Sequence, residues 1–573
     1  MKTASSQKET APLAEALALG KQSFLFVGLF SLASNLLYLA LPIYTNQIYS
    51  RVLTSHSGST LIVLTVGAAL VFLVSGILDN FRGQVLINYG IAFDRKLASG
   101  TFAALFDLVV RRKGGSQAQA LRDLDTVRSL ISGQGVAVLL DLPWIPVFMG
   151  ILFVIDPWIG ALTFVGGAIL LLLAFLQDRA THDALKQQSQ AAIKSYSFTD
   201  QALRNAEIVR ALGMLPTLGA AWAHYRQVSL QMGVVAGQRS SFYSTSIRFV
   251  RMMIQIGIIA LGAWLIIIGN IASGLLFANM ILSSRALAPI DRIMGSWKSL
   301  LDGLQAYRRL EEVLDSYEPP VPATQLPTPT GNIGFENVSF APAGAPNLVL
   351  VNLRFQILPG EMVGIIGPSG AGKSTMLRLM CGIWKPNSGT VRLDGADVYS
   401  WDRADFGRHV AYQPQDTELF AGTVRANICR FSTSADDADI VAAAKAAGAH
   451  ELILRLPHGY ETQLGEAGTT LSAGQRQRVG LARTLYGNPK VIVLDEPNAN
   501  LDADGEAALL KALEGAKARG ATIVMVSHKP SMFAIADKLM VLRSGQINSY
   551  GPREEVLRAL QGSQRPALAE AQS

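Results

Sequence analysis

The sequence predicts a bundle of membrane-spanning α-helices followed by an α/β domain. Three observations support this fold class. Before residue 317 there are six long apolar runs with almost no charged side chains. Beyond residue 331, short β-rich runs alternate with helical stretches, as in a parallel-sheet α/β domain. Half of the 573 residues are hydrophobic and 16% are charged, whereas soluble domains carry about 25% charged residues.

The apolar runs are long enough to cross a bilayer, whose core needs about 20 helical residues. Six spans are predicted, at about residues 24–44, 61–78, 136–155, 158–176, and on either side of a turn at residues 269–274, the last reaching about Pro289. Asp156-Pro157 between the third and fourth spans predicts a tight hairpin. A buried core of a large soluble protein is the alternative, and one-sided basic loops between the spans disfavour it.

The distribution of basic residues predicts the orientation. The short joints between spans one and two, three and four, and five and six contain Arg51 as their only lysine or arginine, whereas the long segments after spans two and four are basic. Both long segments and both termini are therefore expected in the cytoplasm. The net charge of +7 is explained by contact with anionic membrane lipid, and no nucleic-acid partner is predicted. Both segments are helix-like, so the helices are expected to continue well below the membrane.

Composition shifts set the predicted domain boundaries. The predicted segments are a short cytoplasmic N-terminus at residues 1–21, a membrane domain at 22–316, a proline-rich linker at 317–330, an α/β domain at 331–560 and a disordered tail at 561–573. The first twenty residues do not resemble a removable signal peptide. Two isolated cysteines, Cys381 and Cys429, predict neither a disulfide framework nor a metal site.

A glycine-rich loop between a strand and a helix predicts a phosphate-binding site. The strand-like run 362–366 ends in this loop, and a helical stretch, 376–381, follows. The candidate ATP-binding residues of the loop are Gly367, Pro368, Ser369, Gly370, Ala371, Gly372, Lys373, Ser374 and Thr375. Backbone N–H groups and the helix N-terminus favour phosphate here. Lys373 is expected to reach the β- and γ-phosphates, and the Ser374 hydroxyl to ligate Mg²⁺.

Two carboxylates at the end of a second apolar strand predict the hydrolytic chemistry. The strand 491–494 is followed by Asp495 and Glu496. A carboxylate at the C-terminal end of a buried strand is well placed to hold Mg²⁺ beside a phosphate loop, which assigns this role to Asp495. Glu496 is expected to polarise the attacking water as general base.

A run between these motifs identifies the family. Leu471-Ser472-Ala473-Gly474-Gln475 resembles the signature motif of ATP-binding-cassette (ABC) proteins. Gln415 lies where these proteins have the Q-loop glutamine, Asp502 lies in a run like their D-loop, and His528 resembles their switch histidine. The resemblance covers about residues 333 to 555 and implies a membrane α-helical exporter domain fused to an α/β P-loop ABC nucleotide-binding domain.

The resemblance also implies a mechanism. Ser472, Gly474 and Gln475 of one copy would close on the γ-phosphate held by Lys373 of the other copy. His528 would contact that phosphate, Gln415 would link metal and water to the membrane helices, and Asp502 would lie at the same nucleotide interface. With one cassette in the chain, an ATPase of this kind is expected to be a homodimer or to pair with a close relative.

Two positions depart from the ABC pattern. The aromatic residue that usually stacks on adenine is missing, because Phe340 is followed by Ala341 and Pro342. Asn498 stands where serine or threonine is common. The first change puts adenine stacking in doubt.

Short runs in the membrane half resemble type I secretion ABC transporters, specifically the exporters of metalloproteases, lipases and surface-layer proteins. The runs are 141–144, 203–214 and 285–291. The resemblance implies a bacterial inner-membrane location, a periplasmic membrane-fusion adaptor, an outer-membrane channel and an unfolded polypeptide substrate with an uncleaved C-terminal signal. The short N-terminus is expected to lack a peptidase domain. Run 203–214 could be a helix that docks on the partner cassette or a solvated cytoplasmic helix.

Two alternatives remain at this stage. An exporter of lipid or small hydrophobic molecules would share every cassette motif. An ABC protein that senses nucleotide without pumping often loses its catalytic carboxylate, so the intact Glu496 argues against it. In the membrane half, Pro143 and Pro146 are expected to bend span three. Asp141 has two equal interpretations, as part of a hydrated path and as a carboxylate at the cytoplasmic mouth of an ordinary helix.

Overall fold

The structure is a computed structural model that describes residues 12–111, 119–317, 326–342, 344–465, 468 and 470–564. The chain divides into two compact units, and the division along the sequence falls after Tyr317. The predicted domain boundaries stay predictions, since residues 1–11, 318–325 and 565–573 lie outside the described part.

The described part of the first unit consists of helices and short turns. Its helices are α1 Pro12–Ala18, α2 Lys21–Leu37, α3 Ala40–Gln47, a π-helical turn Ile48–Val52, α4 Leu53–Ser55, α5 Gly58–Arg111, α6 Gln119–Ser132, α7 Gln134–Asp141, α8 Trp144–Ile155, α9 Pro157–Arg204, α10 Ala206–Ala211, α11 Leu215–Ile267 and α12 Ser273–Asp315. In the described residues, six stretches are long and apolar enough to cross a membrane: Pro12–Ser55, Gly58–Val110, Gln119–Ile155, Pro157–Arg204, Leu215–Ile267 and Ser273–Trp297. The prediction of six spans is confirmed.

The ends of the spans follow from local chemistry. Asp156 caps α9, because its carboxylate accepts hydrogen bonds from the backbone N–H groups of Trp158 at 2.9 Å and Ile159 at 3.1 Å. Pro157 occupies the first turn of α9, where no N–H donor is needed. At the other hairpin, Gly269 has a φ of +77° and ends α11, because glycine adopts this conformation at little cost. Both predicted turns are confirmed.

Four helices are much longer than a bilayer requires. Helix α9 has 48 residues and α11 has 53. At 1.5 Å per residue, 48 residues extend about 70 Å, whereas the hydrocarbon core is about 30 Å thick. The two helices stay paired beyond the apolar part, where Arg239 donates to the carbonyl oxygen of Ala180 at 2.7 Å. Both helices therefore continue well past their apolar runs, which agrees with the predicted helical segments.

The third span is interrupted near its start. Helix α7 ends at Asp141 and α8 begins at Trp144, so the interruption expected from Pro143 is present.

In the segment predicted only as a short N-terminus, the structure has helix α1. Its Leu13 is buried in a cluster with Tyr89 and Phe93 of α5. The apolar spacing in this short helix was too brief to predict it from sequence.

The second unit is an α/β domain. Its strands are β1 Ile333–Phe340, β2 Leu350–Ile357, β3 Met362–Ile366, β4 Ser388–Leu393, β5 Ala396–Asp397, β6 Val410–Gln413, β7 Gly422–Thr423, β8 Gln463–Leu464, β9 Val491–Asp495, β10 Thr522–Val526, β11 Lys538–Arg543 and β12 Gln546–Pro552. Its helices are α13 Lys373–Met380, α14 Arg403–His409, α15 Val424–Ile428, α16 Asp437–Ala446, α17 His450–Leu454, α18 Ala473–Leu485, α19 Ala503–Ala518 and α20 Arg553–Gln564. Helix α20 extends four residues into the predicted tail, which began at residue 561.

The strands form one antiparallel and one mainly parallel sheet. The first has the order β2-β1-β4-β5, and the second has the order β12-β11-β3-β10-β9-β6. In the second sheet, β10 lies between β3 and β9 and is parallel to both. The carboxyl ends of these three strands therefore meet at one edge, which is where ligands bind in open α/β sheets.

Two hydrophobic cores support this edge. One includes Phe335, Met376 and Val524, and packs β-strands of both sheets with α13. The other includes Val479, Leu494 and Leu513, and packs the second sheet with α18 and α19. The phosphate loop is therefore supported by one core, and the signature helix α18 by the other.

Candidate active site

The phosphate loop joins β3 to α13 in the predicted register. Gly370 and Gly372 have φ values of +79° and +98°, which favour glycine. At Gly367 the constraint is space, because an added Cβ would lie 2.2 Å from the carbonyl oxygen of Leu542. The sequence therefore needs glycine at these positions to form the loop.

Lys373 is buried at the start of α13. Its ammonium nitrogen donates to the carbonyl oxygens of Gly367 at 2.8 Å and Pro368 at 3.0 Å. An ammonium has three N–H donors, so one remains for a further acceptor beside the loop. This arrangement holds a positive charge where the phosphates of a nucleotide would lie.

Asp495 ends β9 and is 2% exposed. Burial raises the pKa of its carboxyl group, while a hydrogen bond from Ser374 and the charges of Arg378 and Lys373 act in the opposite direction. Within the described chain, Asp495 Oδ1 is buried and has no hydrogen-bond donor. A buried carboxylate oxygen without a donor, beside the Ser374 hydroxyl, fits a hard cation such as Mg²⁺.

Glu496 lies directly after β9 and contacts two predicted site residues. Its Oε1 is 3.2 Å from His528 Nε2, and its Oε2 accepts a hydrogen bond from Gln415 Nε2 at 3.4 Å. The backbone of Glu496 has a φ of +50°, an uncommon value for a residue with a side chain, and its N–H donates to the Val526 carbonyl oxygen at 3.0 Å. The structure thus brings together Gln415, Glu496 and His528 from three separate motifs.

The signature run forms the N-terminus of α18. Ser472 accepts a hydrogen bond from the backbone N–H of Gln475 at 3.3 Å, and Gln475 Oε1 accepts from the backbone N–H of Ser472 at 2.9 Å. This reciprocal pair is a capping box. Ser472 is exposed, and in the described residues no hydrogen bond or ion pair joins Ser472 or Gly474 to the phosphate loop. The structure does not bring these two predicted parts of the site together within one chain.

Asp502 caps the next helix, α19. Its Oδ1 accepts from the backbone N–H of Gly505 and from Arg478, both at 2.9 Å. These donors, the Gly505 N–H foremost, hold the pKa of the Asp502 carboxyl below its usual value. Arg478 belongs to α18, so this exposed pair links the signature helix to the D-loop-like run.

Comparisons with known proteins agree with this geometry. Residues 24–289 match the ABC transporter transmembrane region family, and residues 350–499 match the ABC transporter family. A type I secretion system ATP-binding protein, PrsD, of Rhizobium meliloti is 41% identical over 555 residues, which cover 97% of this chain and 95% of the relative. The chain belongs to the ABC transporters of type I secretion systems.

More distant relatives share this family. A cyclolysin secretion/processing ATP-binding protein, CyaB, of Bordetella pertussis is 28% identical, covering 93% of this chain and 75% of the relative. A toxin RTX-I translocation ATP-binding protein of Actinobacillus pleuropneumoniae is 29% identical, covering 90% and 74%. The structure of a bacterial Atm1-family ABC exporter with ATP bound has a TM-score of 0.83 over 95% of this chain and 97% of the other, at 24% identity, which establishes a shared fold.

These findings confirm several predictions about this ABC transporter. It is the ABC component of a type I secretion system, an ATPase coupled to transport, and a multi-pass inner-membrane protein with its ATPase domain in the cytoplasm. The predicted six-span membrane domain and ABC nucleotide-binding domain are both present. The roles of individual site residues stay predictions.

Sequence reasoning left the two departures from the ABC pattern without a structural account. Phe340 is buried and stacks on Trp384, with ring centroids 5.2 Å apart, so its ring is held in the core. Asn498 is buried and accepts a hydrogen bond from Ser527 Oγ at 3.0 Å. Ser527 was not among the predicted site residues, although its place between β10 and His528 was a signal for it.

Proposed function

We propose that this ABC transporter uses ATP hydrolysis to export an unfolded polypeptide that carries a C-terminal secretion signal. Its partners in this proposal are a periplasmic membrane-fusion adaptor and an outer-membrane channel. The names of relatives at 41%, 28% and 29% identity support protein cargo, since they refer to type I secretion, cyclolysin secretion and toxin translocation. The six-span membrane domain supplies the route through the inner membrane.

The phosphate loop would hold ATP by backbone N–H groups and the Lys373 ammonium. Ser374, Gln415 and Asp495 are the residues assigned to Mg²⁺. The ion, when bound, neutralises negative charge on the phosphate oxygens. The buried Oδ1 of Asp495 supports the assignment, because a cation would satisfy an oxygen that has no donor in the described chain.

Glu496 would accept a proton from the attacking water. The water oxygen then bonds to the γ-phosphorus, and the bridging oxygen leaves with ADP. The single observation that carries this proposal is the contact of Glu496 with both His528 and Gln415, at 3.2 Å and 3.4 Å. His528 would contact the γ-phosphate, and Gln415 would orient the water and the metal ion.

A second copy would complete the site. Ser472 at the N-terminus of α18 is exposed, and in the described residues no hydrogen bond or ion pair joins Ser472 or Gly474 to the phosphate loop of the same chain. A helix N-terminus is favourable for phosphate, so the same residues suit the γ-phosphate held by another chain. Closure of the homodimer then becomes a condition of hydrolysis, because the catalytic groups are in place only when two chains meet.

The cytoplasmic end of the membrane unit also has a surface suited to a second copy. Around α10, the apolar side chains of Leu203, Ile208, Leu212 and Leu215 are all more than half exposed. They lie beyond the apolar parts of α9 and α11, so lipid does not cover them. This favours the docking interpretation of run 203–214 over that of a solvated helix.

A complementation experiment tests the composite site. Lys373→Ala and Ser472→Glu chains are each expected to be inactive as homodimers. In a mixed dimer, one site has both defects and the other site has neither. If chains in equal amounts pair at random, half of the dimers are mixed and each has one intact site. The mixture should therefore recover about a quarter of wild-type ATPase activity. Absence of recovery, with mixed dimers verified by two affinity tags, would reject a site shared between chains.

A second experiment tests the cargo. The chain in proteoliposomes should hydrolyse ATP faster in the presence of the C-terminal segment of a type I secreted polypeptide. The same segment with its sequence scrambled is the control. Stimulation by lipids or small hydrophobic molecules, with none by the secretion segment, would contradict polypeptide export.

A further inference from the structure

Arg285 lies on α12, within the sixth span, and contacts an aromatic ring. Its guanidinium carbon is 3.6 Å from the ring centroid of Tyr38. The Tyr38 hydroxyl donates to Asp79 Oδ2 at 2.7 Å, which fixes the ring beneath the guanidinium. Among the described residues, no carboxylate forms an ion pair with Arg285. An arginine at membrane depth without a carboxylate partner is costly and points to a function.

Arg285 lines a cavity of about 480 Å³ within the membrane unit. The charged residues of the cavity are Asp79, Arg82, Asp141, Arg285 and Arg292. Three arginines and two aspartates leave a formal excess of one positive charge. Cavities of roughly 300–1,000 Å³ commonly hold small ligands, so the space is large enough for part of a flexible peptide.

The two other arginines are already paired with Asp141. Asp141 Oδ1 accepts from Arg82 at 3.0 Å and from Ser31 Oγ at 2.8 Å, and its Oδ2 is 3.5 Å from Arg292. Asp141 is 5% exposed, so these contacts compensate a buried carboxylate. Asp141 carries one negative charge against these two arginines, so the excess positive charge belongs to the cavity as a whole, and Arg285 is the arginine of the cavity that forms no ion pair among the described residues. Of the two interpretations of Asp141, its place in the lining of a polar cavity favours the hydrated path over a carboxylate at the cytoplasmic mouth of an ordinary helix.

The cavity lies near the cytoplasmic ends of the spans. Asp79 follows the apolar run 61–78, Asp141 is at the start of the third span, and Arg292 follows the sixth. A polypeptide that enters the membrane domain from the cytoplasm meets this region first. The position suits recognition of the cargo before the apolar part of the route.

We propose that this cavity binds a carboxylate of the exported polypeptide, with Arg285 as the principal partner. The inference rests on the proposed export of polypeptide. A guanidinium that stacks by its face keeps its N–H edges available, and those edges match a carboxylate in a bidentate pair. The carboxylate has two sources, the C-terminus of the cargo and an acidic side chain.

Peptide binding to the purified full-length chain in neutral-lipid nanodiscs tests the proposal. Three fluorescein-labelled probes share the sequence Gly-Ser-Gly-Ala-Gly-Ala: one ends in a free carboxylate, one in an amide, and one amidated probe has glutamate in place of serine. Fluorescence anisotropy should show about tenfold tighter binding of the free acid than of the amide. Affinity of the glutamate probe equal to that of the free acid assigns the site to any carboxylate, and weaker affinity assigns it to the C-terminus.

Three variants identify the residue responsible. Arg285→Gln should abolish the preference for the free acid. Arg248→Gln, at an exposed position of α11 that does not line the cavity, should keep both the preference and the basal ATPase activity. Asp79→Asn keeps an acceptor for the Tyr38 hydroxyl but removes a negative charge, so the free acid should bind several-fold tighter, a gain that misfolding cannot produce.

Equal binding of acid and amide by the wild type, or an acid preference that survives Arg285→Gln, would overturn the proposal. Displacement of the free-acid probe by phosphatidylglycerol but not phosphatidylcholine vesicles, with no acid preference over the amide, would assign the cavity to lipid headgroups instead. Stimulation of ATP hydrolysis by a secretion segment tests export separately. Failure of that stimulation with intact acid preference would reject polypeptide export and leave a carboxylate site.

Discussion

Ser527 Oγ donates a hydrogen bond to Asn498 Oδ1 at 3.0 Å, and both side chains are buried. Asn498 follows Glu496 by two residues, and Ser527 directly precedes His528. The bond therefore joins the loop after β9 to the loop after β10, and each loop carries one member of the Glu496–His528 pair. Ser527 Oγ also accepts from the backbone N–H of Lys529 at 3.1 Å, which continues the same network.

Replacement of Asn498 by alanine should lower the turnover number several-fold and leave the KM for ATP nearly unchanged. Loss of one buried hydrogen bond costs about 1 kcal/mol of stability and releases the loop that positions His528. Steady-state ATPase assays and thermal unfolding measure the two effects. In the Asn498→Ala, Ser527→Ala double variant, the loss should be smaller than the sum of the single losses. Simple additivity would mean that the bond does not couple the loops.

Replacement of Glu496 by glutamine should lower the rate of ATP hydrolysis at least about 100-fold, because an amide cannot accept the proton of the attacking water. ATP binding should persist, since the shape of the side chain is kept. Single-turnover hydrolysis and nucleotide binding distinguish the two steps. Glu514→Gln, at an exposed position of α19, is the matched control. Hydrolysis at the wild-type rate in Glu496→Gln would exclude this residue as general base.

Some strands, turns and motifs that depend only on neighbouring residues in the sequence were predicted correctly. Strand 362–366 was predicted with the observed bounds, because a short apolar run ends there in glycine. The hairpin at Asp156-Pro157 followed from capping rules. The placement of Gln415, Glu496 and His528 in separate motifs was also predictable, although their mutual distances depend on the order of β10, β9 and β6 in the sheet.

Other features depend on contacts between distant parts of the chain. The ring of Tyr38 and the guanidinium of Arg285 are 247 positions apart in sequence, and only the packing of helices brings them together. The bond between Asn498 and Ser527 likewise requires adjacent β9 and β10. Helix α1 is stabilised by the burial of Leu13 against α5, which a seven-residue pattern does not reveal.

Replacement of Asp495 by asparagine should stabilise the nucleotide-free protein at neutral pH. Burial raises the pKa of this carboxyl group in the folded state, so ionisation costs folding free energy. Below its ordinary pKa the group is protonated in both folded and unfolded states, and the two proteins should be equally stable. The advantage of Asp495→Asn should grow as pH rises through the raised pKa and then level off.

Thermal unfolding from about pH 3 to 8, without nucleotide, measures this difference. Asp504→Asn, at an exposed position of α19, is the control and should show little change across the range. Addition of ATP with Mg²⁺ should reverse the order of stability, because the wild type gains ligand stabilisation that Asp495→Asn lacks. A variant less stable than the wild type at neutral pH without nucleotide would show that burial of the carboxylate does not outweigh its favourable contacts.

Replacement of Gly367 by alanine should disrupt the phosphate loop. The added Cβ would lie 2.2 Å from the carbonyl oxygen of Leu542 at the neighbouring strand β11, so the backbone must move to accept it. Such overpacking costs about 1–3 kcal/mol and displaces the loop carbonyl that Lys373 contacts at 2.8 Å. Gly407→Ala, on α14 with no atom within 4 Å of the added Cβ, is the matched control and should keep both stability and ATP affinity. Titration with a fluorescent ATP analogue and thermal unfolding measure the two properties, and normal affinity in Gly367→Ala would show that the loop tolerates a side chain there.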